Sequence, residues 1–114
     1  MADAIDRSTF DGLVETTGEE FVGELVDTFL TEAPAMLDDM RDALANGDAD
    51  RFRRAAHSLK SNANTFGALT LGALAKALEL GGIDHARDAG GKRIDEASAE
   101  YARAASALKD LTRA

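Results

Sequence analysis

Apolar residues recur at three- and four-residue intervals along most of the chain, and glycines and turn formers interrupt the pattern at a few points. Ser8 or Thr9 is placed to cap a short first helix with Phe10, Leu13 and Val14 on its apolar side, and Gly18 is its stop. The longest segment, 19–44, carries a stripe of Phe21, Val22, Leu25, Val26, Phe29, Ala33, Met36, Leu37, Met40 and Leu44. Pro34 lies inside it, but the stripe stays in phase across the proline, so one kinked helix is expected. Asn46-Gly47-Asp48 then reads as a C-cap, turn and N-cap in succession. A helix over 49–66 follows, with Phe52, Ala55, Ala56, Leu59, Ala63 and Phe66 as its seam and Gly67 at its end. Another over 70–80 uses Leu71, Leu74, Ala75 and Leu78 and is expected to stop at Gly81-Gly82. The stretch 83–91 is ambiguous, one loose turn bounded by glycines. The last helix, 92–111, carries Ile94, Ala97, Tyr101, Ala104, Ala105, Leu108 and Leu111.

Four amphipathic helices with short connections predict an all-α protein, an antiparallel up-down four-helix bundle with a short additional N-terminal helix. At 114 residues the chain is read as one domain, 1–114. It has no cysteine, which excludes disulfides and thiolate metal sites. Its formal net charge is −8, from 13 Lys and Arg against 21 Asp and Glu. Such a surface repels nucleic acid and anionic membrane, so neither is expected as a partner. No apolar run reaches the roughly 18 residues of a membrane span, and the N-terminal residues lack the apolar stretch of a signal peptide. A monomeric cytoplasmic protein is expected.

One helical face stands out against this acidic background. With the seam of the 49–66 helix at 0°, His57 lies at roughly 140°, Asn64 at roughly 120° and Ser61 at roughly 180°. Lys60 falls at roughly 80° and Arg53 at roughly 100°. His57 therefore points to solvent, with Arg53, Arg54, Lys60, Ser61 and Asn64 within two turns of it. A neutral imidazole nitrogen is a nucleophile, and the cations and small polar donors suit an arriving phosphoryl group. Ser61, one turn away, leaves room for a partner's approach. No glycine-rich phosphate loop is present, so the phosphoryl donor, and the Mg²⁺ it needs, must come from a partner; no cofactor or metal of the chain's own is expected. His85, near Asp84 and Asp88, lacks a second His or Cys at ligand spacing and reads as loop surface.

The run His57-Ser58-Leu59-Lys60-Ser61-Asn62-Ala63-Asn64-Thr65-Phe66-Gly67-Ala68 resembles the signature of histidine phosphotransfer domains, and Leu71, Leu74, Leu78 and Glu79 match that family's next helix. Ser61 stands where many members have glycine. The resemblance implies a phosphoryl carrier without its own ATP site, relaying between aspartates of receiver domains in a two-component phosphorelay. His57 would be the phosphorylated residue and Lys60 the support for the phosphoryl group, with Ser61, Asn64 and Arg53 around it. The implied partners are response-regulator receiver domains and a hybrid sensor histidine kinase. Two other readings stand beside it: the phosphoacceptor domain of a chemotaxis-type kinase, and a receiver-binding helical module that is never phosphorylated.

Register places a docking surface. Counting equal lengths from the Gly47 turn brings His57 opposite Leu37, and the same count from Ala68 brings Glu79 to that level. A receiver reaching His57 is expected to touch Ala33, Met36, Leu37 and Met40.

Overall fold

The computed structural model describes residues 4–89 and 91–112. These residues form α1 (Arg7–Thr17), α2 (Glu19–Asn46), α3 (Ala49–Thr65), α4 (Leu69–Asp88) and α5 (Lys92–Thr112), with no strand among them. α3 packs on α2 and α4, α5 packs on the same two helices, and α1 lies against α2 and α3. α2 and α4 touch only sparsely. The core sits between them, with Phe52, Met40, Leu59, Leu71, Leu78, Ile94, Leu108 and Val26 fully enclosed.

The helix ends follow capping chemistry. Asp6, rather than Ser8 or Thr9, caps α1, and its carboxylate accepts the backbone N–H of Thr9 at 3.0 Å. Its carboxyl is held below its ordinary value by the Thr9 hydroxyl and backbone bonds. An aspartate at the cap position competes better for the free N–H groups than a hydroxyl inside the first turn. Gly47 adopts the left-handed conformation (φ 70°, ψ 25°), and Asp48 accepts the N–H of Arg51, so the Asn46-Gly47-Asp48 punctuation forms as the sequence predicts.

α4 departs from expectation. The chain breaks its helical path at Gly82 (φ 73°, ψ −177°), a conformation open in practice only to glycine. It then resumes helical geometry to Asp88 instead of loosening into a turn. Burial explains the difference, because Ile83 and Ala86 both enter the core. Phe21, counted in the α2 stripe, is by contrast 52% exposed at that helix's first turn.

α2 runs through Pro34 as one helix. A proline has no N–H, so the carbonyl four residues earlier, that of Leu30, loses its helical partner. The Tyr101 hydroxyl of α5 donates to the Leu30 oxygen at 3.2 Å. The same ring meets Phe29 edge-on, with centroids 5.9 Å apart, and Phe29 in turn packs on Phe66 of the α3–α4 connection at 5.1 Å. Burial pushes the phenol's pKa up, which keeps it a donor. Tyr101→Phe should cost about 1 kcal/mol in denaturant unfolding. The cost should shrink in a Pro34→Ala background, where the substituted position regains an N–H that can satisfy Leu30. An equal cost in both backgrounds would show that the hydroxyl does not serve the proline's carbonyl.

Candidate functional site

α3 and α4 make the most extensive contact in the protein. Small residues permit it: Ala56 and Ala63 on α3, and Gly72 and Ala75 on α4, are all buried. At Gly72 the approach is so close that a Cβ would stand 2.0 Å from the Asn64 side-chain oxygen. This seam fixes which α4 side chain reaches the exposed edge of α3.

That side chain is Glu79. Its Oε2 lies 2.8 Å from Nδ1 of His57, and its Oε1 accepts the Lys60 ammonium at 2.7 Å. The His57 side chain is 55% exposed, whereas Glu79 is only 16% exposed. The Lys60 hydrogen bond, and then that of His57, hold the Glu79 carboxyl below its ordinary range, against the opposing effect of burial. The register count places Glu79 at the level of His57 without giving it a role. The missing signal is its face: Gly72 and Glu79 are seven residues apart and share the side of α4 that meets α3.

The other expected site residues are distributed differently. Ser61 is exposed one turn beyond His57. Asn64 is packed over Gly72, about 10 Å along the helix from His57. Arg53 turns away from His57 to bond Asp50 at 2.8 Å, and Arg54 joins the same carboxylate at 3.1 Å. A carboxylate three and four residues back on the same helix is the nearer partner for both. The free basic patch expected from the sequence is thus largely paired within the chain.

The docking surface needs a similar correction. Ala33, Leu37 and Met40 are buried, because the stripe they form is the face α2 turns to the core. Met36 is partly exposed and lines a shallow groove between α2 and α3, with Asp39, Arg51, Arg54, Ala55 and Ser58. Arg51 bridges this groove to Asp39 at 2.8 Å and Asp42 at 3.5 Å. Of the four expected docking positions only Met36 reaches the surface, and the other three point inward.

His85 lies flush against Gly81, and Asp84 pairs with Arg87 at 3.4 Å. No group of three or more His, Asp or Glu side chains among the described residues could hold a metal ion. None of the helices, over the described residues, is long and apolar enough to cross a membrane.

Comparison with known proteins finds one family and one similar fold. The model of the Hpt domain family matches residues 24–113. The fold is similar to the crystal structure of histidine-containing phosphotransfer protein B (HptB) from Pseudomonas aeruginosa PAO1. The TM-score is 0.88 at 27% sequence identity, over 98% of this chain and 96% of the other. No curated protein matches the chain. The chain belongs to the Hpt domain family, the histidine phosphotransfer domains of two-component phosphorelays.

Proposed function

We propose that His57 takes a phosphoryl group at Nε2 from an aspartate of one receiver domain and hands it to an aspartate of another. The bond from His57 to Glu79 carries this reading. An ionised carboxylate only accepts hydrogen bonds, so Nδ1 is the nitrogen that bears the proton. In a neutral ring Nε2 then keeps its lone pair, on a side chain open to solvent. Attack by Nε2 on phosphorus forms the N–P bond and breaks the P–O bond of the aspartyl phosphate, releasing the aspartate carboxylate. The ring becomes cationic, and its Nδ1–H already faces the charge that balances it. No proton leaves the ring in either direction of transfer.

Lys60 is the group that shares its charge between Glu79 and the incoming phosphoryl oxygens. Ser61 keeps the approach to Nε2 open, and Met36 with its groove receives the partner on the α2 side. Asn64 and Arg53 are given no direct role. Mg²⁺ belongs to the receiver, and the chain needs no cofactor of its own. The four helices α2 to α5 are read as an antiparallel up-down bundle with α1 as an addition. Support comes from the ring of contacts and the short connections. The chain acts as a single monomeric domain in the cytoplasm, fed by a hybrid sensor kinase.

Incubation with a phosphorylated receiver should label the chain in an acid-labile, base-stable form, and His57→Gln should take no label. Label on that variant would sink the assignment, and receiver binding without label on the native chain would favour a docking module.

Lys60→Ala should slow transfer about tenfold or more while the fold survives. Equal rates would reduce the lysine to surface charge.

Glu79 also links stability to pH. Because the folded state depresses its pKa, its contribution is complete above the ordinary glutamate range and is lost as pH falls through the depressed value. The stability gap between the native chain and Glu79→Gln should narrow as the pH is lowered below that range. Denaturant titrations at a series of pH values check this, and a constant gap would contradict it.

A further inference from the structure

The α4 surface beside His57 carries an apolar side chain that the described chain leaves open. Leu80 is 75% exposed, more than Phe21 at 52% or Leu69 at 47%. It directly follows Glu79, whose carboxylate touches the imidazole. With the buried Ala75 at 0° on the α4 wheel, Gly72 and Glu79, which meet α3, lie at roughly +60° and +40°. Leu78 and Leu74, at roughly −60° and −100°, occupy the opposite shoulder, left for α5. Lys76 and Leu80 fall at roughly +100° and +140°, on the α3 side. They therefore belong to the surface that presents His57. Lys76 is exposed and has no hydrogen bond or ion pair among the described residues. Arg51, Arg53, Arg54 and Lys60 around the same site are all paired.

A partner that delivers a phosphoryl group to Nε2 must cover this surface. A protein interface of standard size occupies about 800 Å² on each side, a disc of about 16 Å radius. Leu80 lies well inside such a disc centred on His57. A few well-desolvated side chains near the centre of an interface supply most of its energy, and rim charges steer the encounter. A phosphoaspartate and the carboxylates that hold its Mg²⁺ make the opposing surface rich in anionic groups. We infer that Leu80 and Lys76 form the α4 half of the docking surface for the phosphoaspartate-bearing receiver, Leu80 as apolar anchor and Lys76 as rim cation. This rests on His57 being the phosphoacceptor. It moves the main apolar contact from α2, where the sequence places it, to α4.

The test separates docking from chemistry. A receiver domain loaded with acetyl phosphate is offered at varied concentration to the native chain, Leu80→Asp, Lys76→Glu and Leu69→Asp. In parallel each chain is treated with phosphoramidate, which needs no docking: its P–N bond breaks, the Nε2–P bond forms and ammonia leaves. Leu80→Asp should raise the apparent KM for the receiver about tenfold or more, with the saturating rate and the phosphoramidate label unchanged. Lys76→Glu should raise KM by a smaller factor that shrinks with added salt. Leu69→Asp, on the same shoulder but about 16 Å along the helix, should stay within about twofold of the native chain. An unchanged KM for both Leu80→Asp and Lys76→Glu overturns the proposal. So does a loss of saturating rate or of phosphoramidate label, because the residues would then act on the ring itself. Lys76→Glu removes nothing buried and carries the test should Leu80→Asp unfold. A native chain that takes label from neither donor overturns the phosphoacceptor reading instead.

Discussion

The close passage of α4 over α3 is the constraint on which the site depends. The seam is built from alanine and glycine, and the Asn64 side chain occupies the space over Gly72 that a Cβ would fill. Across this seam Glu79 reaches both His57 and Lys60. The carboxylate that this packing delivers faces Nδ1 of His57 and so favours the ring form that carries its proton there.

Charge compensation is the second theme. The chain is strongly acidic, and the cations near the site are committed: Arg51 to Asp39 and Asp42, Arg53 and Arg54 to Asp50, Lys60 to Glu79. These pairs are mostly exposed and contribute little stability individually. Their effect on the site is local. They remove the broad positive field that the bare sequence suggests.

Much of this was legible in the sequence, and the rest has identifiable reasons. The exposed placement of His57 followed from a single helical wheel, because α3 is regular and its seam is unambiguous. The Asn46-Gly47-Asp48 turn followed from residue chemistry alone, since few other conformations suit that triplet. Glu79 as a partner required knowing how two helices rotate about their own axes, and periodicity fixes level more firmly than rotation. Ala33, Leu37 and Met40 belong to the stripe that the sequence turns to the core, and they are buried there; a shared level with His57 does not make a stripe residue a surface contact. The continuation of α4 past Gly82 was hidden because a glycine pair reads as a stop. It becomes a bend only when the residues beyond, Ile83 and Ala86, find a core to enter.

The hydroxyl that meets the Leu30 carbonyl has a consequence beyond stability. Pro34 creates a gap in the bonding of one helix that Tyr101 fills from another, so the two positions are coupled energetically. A chain that lost the proline first would find the tyrosine's hydroxyl expendable and could drift to phenylalanine. A chain that lost the tyrosine first would carry an orphaned carbonyl until the proline also changed. Descent with modification should therefore run more freely along the first route than the second.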